Sequence, residues 1–176
     1  HHHHGYPDPT CPHDLTDSEL TEESRSMAGA VLHADHAAAD FVEWIMRQPF
    51  GKNTTILVLN DHLLMESDLS PYLTRHPELR RNFNVLINPA RPLPSESRRM
   101  SHFDWTPTLL ESMGATVPEG RLGLGVSLYS GLPTLVEEMG EELLSACLTP
   151  FSPFYLSELL GVKKGGNLLA ENEPLP

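Results

Sequence analysis

Thr54-Thr55-Ile56-Leu57-Val58-Leu59-Asn60-Asp61-His62 is the stretch on which the reading of this chain turns. β-branched and apolar residues run from Thr55 to Leu59 and predict a strand over 55–60. The run stops on an adjacent carboxylate and imidazole, Asp61 and His62. In open α/β sheets, ligands collect at the carboxyl ends of the strands. Carboxylate and imidazole are both ligand types for zinc, manganese and related divalent ions. Successive residues of a strand face opposite ways, so both can reach one ion only where the strand has ended. The ordinary alternative is an aspartate that caps the next turn beside an exposed histidine.

The flanking segments give the stretch its setting. Before it, Met27, Val31, Ala34, Ala38, Phe41, Val42 and Ile45 recur at helical spacing in an alanine-rich stretch. They predict an amphipathic helix over 27–47, ended by Pro49 and Gly51. Residues 1–26, with Pro7, Pro9, Pro12 and an acidic run from Asp14 to Glu23, read as loop. After the strand, residues 66–81 read as partly helical, with Pro71 and Pro77 as breaks. Asn82 to Ile87 reads as a second strand. Residues 104–113 read as a short helix with Thr106 as cap, Pro107 at its first position and Gly114 as its stop. Glycines 120, 123, 125 and 131 mark a turn-rich link. Leu135, Val136, Met139, Leu143, Leu144 and Cys147 trace another helix. Beyond Pro150 the tail suggests a turn of helix at 156–160 and a strand near Leu168. The order of helices and strands indicates an α/β class, with few strands for the length, as in part of a larger sheet.

The 176 residues suffice for a domain with a real core. Hydrophobic residues make up 39% of them, and no apolar run approaches the ~20 residues of a membrane span. The formal charge of −12 argues against broad nucleic-acid binding, which needs a cationic surface. Cys11 and Cys147 allow one disulfide at most and fit no zinc-finger spacing. His1 to His4 read either as a purification-tag remnant or as native sequence.

Other constellations have bland readings. His33, Asp35, His36 and Asp40 share helical spacing, and a polar helix face accounts for them. Ser101, His102 and Asp104 permit a nucleophilic triad on paper, without the Gly-x-Ser-x-Gly elbow that would support it. Gly120-Arg-Leu-Gly-Leu-Gly125 lacks the Gly-Lys-Ser/Thr ending of a phosphate loop and reads as a glycine turn, with Arg121 available to an anion. Trp44, Trp105 and the aromatics at 151–155 read as core or surface-patch residues.

The ordered set, namely the strand ending in Asp61-His62, then Asp104-Trp-Thr-Pro-Thr-Leu-Leu-Glu-Ser-Met-Gly114, then Gly120-Arg-Leu-Gly-Leu-Gly-Val-Ser-Leu128, resembles the second half of the alkaline-phosphatase/sulfatase superfamily. More narrowly it resembles the membrane-anchored phosphoglycerol transferases of osmoregulated periplasmic glucans, relatives of lipoteichoic acid synthase. The likeness covers roughly residues 28–131. The opening His-His-His-His-Gly-Tyr is similar to a Thr-His-His-Pro-x-Gly-aromatic segment of that family, with His3 where proline is expected. Cys11 falls where relatives often have a cysteine.

The resemblance implies a large mixed sheet with helices on both faces, incomplete in this chain. On that view residues 1–150 form the second half of the catalytic domain, and residues 151–176 are a tail or the start of a further strand. It implies one divalent ion (manganese, magnesium or zinc) held in part by Asp61 and His62, with His1 or His2 contacting substrate and Asp35 structural. It implies transfer of a phosphoglycerol group from a phospholipid head group to a glycan acceptor at the periplasmic face of a bacterial inner membrane. The nucleophilic threonine of the family has no match in this chain, so the expectation is a fragment without turnover, prone to self-association through an open sheet edge. A sulfatase or phosphodiesterase, or a non-catalytic α/β module binding a partner through its acidic surface, are the competing readings.

Overall fold

The computed structural model describes residues 15, 19–150, 152–159 and 161. The chain divides into two compact units, each containing helix and strand. The first comprises residues up to Pro94 with Leu109–Thr116; the second comprises Ser95–Thr108 and the chain from Val117 onward.

The first unit opens with helix α1, Glu22–Arg47. It starts at Glu22, not Met27, so residues 22–26 are helix where the sequence suggested loop. Thr21 supplies the reason: its Oγ1 accepts from the Ser24 amide at 3.2 Å, and Glu22 and Glu23 lie at the positive end of the helix dipole. Ser24, Met27 and Gly29 are buried, whereas no residue from Val31 to Arg47 is. Phe41 and Trp44, stacked with centroids 5.8 Å apart, are among the exposed ones.

A 3-10 turn at Gly51–Asn53 leads into strand β1, Ile56–Leu59. It pairs antiparallel with β2, Asn84–Ile87, in a register that sets Ile56 against Ile87 and Leu59 against Asn84. Asn88, just past β2, adopts φ of 53°. Its Nδ2 donates to the carbonyls of Gly51, Lys52 and Thr54 at 3.2, 3.2 and 2.9 Å. The chain between the strands carries helix α2, Ser70–Arg75, and a 3-10 turn at Pro77–Leu79. Pro71, expected as a break, lies in the first turn of α2, where its missing N–H costs nothing.

Helix α3, Trp105–Ser112, belongs to the second unit up to Thr108 and to the first from Leu109, and the chain enters it through a 3-10 turn at His102–Asp104. Ser101 and Asp104 form a reciprocal capping box. Thr106 is therefore not the cap, and Pro107 lies inside the helix; Gly114, at φ of 91°, does stop it. Strands β3, Arg121–Leu122, and β4, Gly125–Val126, make a minimal hairpin. The helix expected over 135–147 is two helices, α4 (Leu135–Met139) and α5 (Glu141–Leu148), parted by Gly140 at φ of 77°. Thr134 caps α4 in a second capping box, with Glu137. Trp105, Val117, Val126, Val136 and Leu144 are among the buried apolar residues of the second unit. A π-helical turn at Tyr155–Leu159 falls beside the turn expected at 156–160; the strand suggested near Leu168 lies outside the described residues.

The strands among the described residues make two separate antiparallel pairs. The class is mixed α/β. β1 is flanked on one side by an antiparallel neighbour, so the carboxyl-edge rule for parallel sheets does not by itself locate a ligand at its end.

Candidate metal-ligand pair

β1 ends at Leu59, and the chain bends through Asp61, His62 and Leu63. The bend releases the two side chains from strand alternation. His62 Nε2 and Asp61 Oδ2 stand 3.6 Å apart, on side chains 46% and 74% exposed. The His62 amide also donates to Asp61 Oδ1 at 3.0 Å, so the aspartate caps the bend as well as facing the imidazole. The capping reading of the dipeptide is therefore present, and the two side chains also lie side by side.

The bend is tied down from two sides. Asn60 Nδ2 donates to the His62 carbonyl at 3.0 Å and to Asn82 Oδ1 at 3.3 Å. Arg80 donates to the Leu64 carbonyl at 3.2 Å. His62 Nδ1 lies 2.7 Å from the Leu63 carbonyl, which can only accept, so Nδ1 donates there and Nε2 is the ring nitrogen that faces Asp61. A backbone carbonyl on the far nitrogen is the usual way a ligating histidine is oriented.

The pair fits part of a divalent-ion site. A tetrahedral ion with bonds of about 2.0–2.1 Å holds neighbouring ligands about 3.3–3.4 Å apart. The observed 3.6 Å needs only a small rotation to match. No group of three or more His, Cys, Asp or Glu side chains able to hold an ion occurs among the described residues. Asp61 and His62 could offer an ion two donors, one carboxylate oxygen and one imidazole nitrogen.

The other candidates sort out differently. His1, His2 and Cys11 lie outside the described residues. Cys147 is an exposed free thiol. Asp35, His36 and Asp40 lie on the exposed part of α1. Ser101 and Asp104 are spent on each other: the Ser101 amide and hydroxyl donate to Asp104 Oδ2 at 2.7 and 3.0 Å. Asp104 Oδ1 accepts from the Val126 amide at 2.8 Å. That fully buried carboxylate is a structural node rather than one member of a triad. Arg121 pairs with Glu138 at 3.1 Å. Trp105 is buried and Trp44 is exposed.

The sequence reading missed a cluster around His76. Glu19, Arg75 and Glu78 surround its imidazole. Only Arg75, His76 and Glu78 are neighbours in sequence; Glu19 arrives by tertiary contact, which no local pattern discloses.

No protein-family model matches this chain, and neither curated proteins nor solved structures show a match to it.

Proposed function

We propose that this chain supplies the second-half metal ligands of a phosphoglycerol-transferase-like enzyme of the alkaline-phosphatase/sulfatase superfamily. In this reading it works at the extracytoplasmic face of a bacterial membrane. The large mixed sheet, the lipid head-group donor, the glycan acceptor and the threonine nucleophile all belong to that same reading. The observation that carries it is the Asp61–His62 geometry: the strand stops one residue before the pair, and the two side chains converge to 3.6 Å. The ordered motifs downstream narrow the superfamily. A divalent ion bound there would lower the pKa of a coordinated hydroxyl and screen charge on phosphoryl oxygens. The residues of this chain hold and orient: Asp61 contributes charge, His62 a neutral nitrogen, and Asn60 and Arg80 fix the bend that carries them.

Manganese titration of the purified chain, read by the paramagnetic resonance of the free ion, tests the pair. Manganese suits the test because His1–His4 prefer the later, softer ions. One weak site is expected, abolished by Asp61→Ala and weakened by His62→Ala. Manganese uptake unchanged in Asp61→Ala would remove the basis of the proposal. The isolated chain is expected to leave an activated phosphodiester at background rate. Metal-dependent hydrolysis by it, lost in Asp61→Ala, would overturn the view that the nucleophile lies elsewhere.

A further inference from the structure

The imidazole of His76 has a carboxylate on each ring nitrogen. Nε2 lies 3.0 Å from Glu19 Oε2, and Nδ1 lies 3.6 Å from Glu78 Oε1. A neutral imidazole has one N–H and can donate to only one of them; the imidazolium has two. Arg75 approaches the same Glu19 oxygen at 3.5 Å through Nε and donates to the Glu19 carbonyl at 3.0 Å. The Tyr72 ring lies tilted against His76, with centroids 4.6 Å apart. Among the described residues, Glu19, Glu78, Arg75 and Tyr72 are the charged and titratable groups seen to face this imidazole.

What the cluster holds is the entrance to α1. Glu19 is followed by buried Leu20 and by the cap Thr21, and Ser24 Oγ donates to the Asp68 carbonyl at 2.6 Å. α2 and the segment before it therefore grip the first turn of α1 at two points, one of which includes a titratable ring.

We infer that Glu19, His76 and Glu78 form a pH-sensitive clamp, closed when His76 is protonated, that fixes the start of α1 against α2. The hydrogen bond to Glu19 raises the His76 pKa above its ordinary 6.5, against the opposing effect of partial burial and with help from the charges of Glu19 and Glu78. The same hydrogen bond lowers the pKa of Glu19 below its ordinary 4.5. The histidine contribution is complete below about pH 6.5 and is lost as pH rises through the raised value. The Glu19 contribution is complete above about 4.5 and is lost as pH falls through the lowered one. The clamp is tightest between those limits. Arg75 also holds Glu19, through its carboxylate and its carbonyl, so alkaline pH loosens the grip without abolishing it. None of these residues belongs to the Asp61–His62 bend, and the clamp stands whether or not that bend binds an ion.

The test is a proton NMR titration of His76 in the whole chain, paired with amide-exchange protection factors for Ser24 and Arg25. The His76 midpoint is expected above 6.5, lowered most by Glu19→Gln and less by Glu78→Gln. Protection of the two amides should fall with the same midpoint, by the roughly two- to fivefold that an exposed ion pair supplies. In His76→Gln it should be flat over that range. A midpoint at the ordinary histidine value, one unmoved by Glu19→Gln, or protection independent of pH would each overturn the clamp.

Discussion

Asp104 shows how a single residue is misjudged from sequence and understood from structure. Beside Ser101 and His102 it suggests catalysis. In the fold it is fully buried and accepts from the Ser101 amide, the Ser101 hydroxyl and the Val126 amide. It starts α3 and fastens β4 to that start, two tasks for one carboxylate. Asp104→Ala would strand buried donors at about 1–3 kcal/mol each. A loss of at least about 3 kcal/mol in urea unfolding is expected, and a loss below about 1 kcal/mol would show that water replaces the carboxylate. Asp61 is the contrasting case. It is a carboxylate at a bend with an imidazole beside it, legible from the dipeptide because strand end and ligand type are both local signals. The His76 cluster was not legible, because Glu19, in the segment before α1, meets Arg75 and His76 across more than fifty residues of chain.

Among the elements, the β3–β4 hairpin has the least tolerance. A Cβ on Gly125 would lie 2.1 Å from the Phe103 carbonyl oxygen and 3.1 Å from Pro107 Cδ. Both neighbours belong to the capped entry to α3, which cannot retreat without breaking the Asp104 bonds. Gly125→Ala is expected to destabilise the second unit by about 2–4 kcal/mol, measured by denaturant unfolding, whereas Gly123→Ala, which meets no atom within 4 Å, is expected to cost less despite its φ of 59°. Helical spacing located α1, an apolar and β-branched run β1, weak alternation β2, and the punctuation by Pro107 and Gly114 α3. These signals erred where a boundary depends on a single conformation or bond. The Thr21 cap moved the start of α1, the Ser101–Asp104 box displaced Thr106, and a positive φ at Gly140 cut one periodic run into two helices. The apolar residues from Leu135 to Cys147 keep helical spacing across that glycine, so periodicity alone does not reveal the break.

Over the whole chain, each unit carries one tryptophan, Trp44 in the first and buried Trp105 in the second. The second unit also carries an acid-sensitive pair. Arg98 hydrogen-bonds the Glu137 carboxylate, and the Thr134 amide donates to Glu137 Oε2 at 2.9 Å. These contacts, the Arg98 bond first, lower the Glu137 pKa to about 2. A depressed carboxylate contributes stability above its ordinary value near 4.5 and loses it as pH falls through about 2. In a Trp44→Phe background, the urea midpoint of the Trp105 signal should fall between pH 4.5 and 2. Glu137→Gln should lower the midpoint at neutral pH and flatten that fall. An equally steep fall in the Gln variant would assign the acid sensitivity to other carboxylates. The charge of −12 works in the same direction at neutral pH, since self-repulsion in an acidic chain places more weight on each cation that is paired.

Asn88 has a consequence for how the molecule ages. Its carboxamide ties the turn that follows α1 to the end of β2 through three carbonyls. Asparagines in chain bends commonly decay to aspartate when the next backbone nitrogen attacks the carboxamide carbon and closes a succinimide. The next residue here is Pro89, whose nitrogen carries no hydrogen and cannot make that attack. Decay by this route would replace a donor with a negative charge facing three carbonyl oxygens. The Asn-Pro order closes that route, so the tie is spared the succinimide decay that bends otherwise invite.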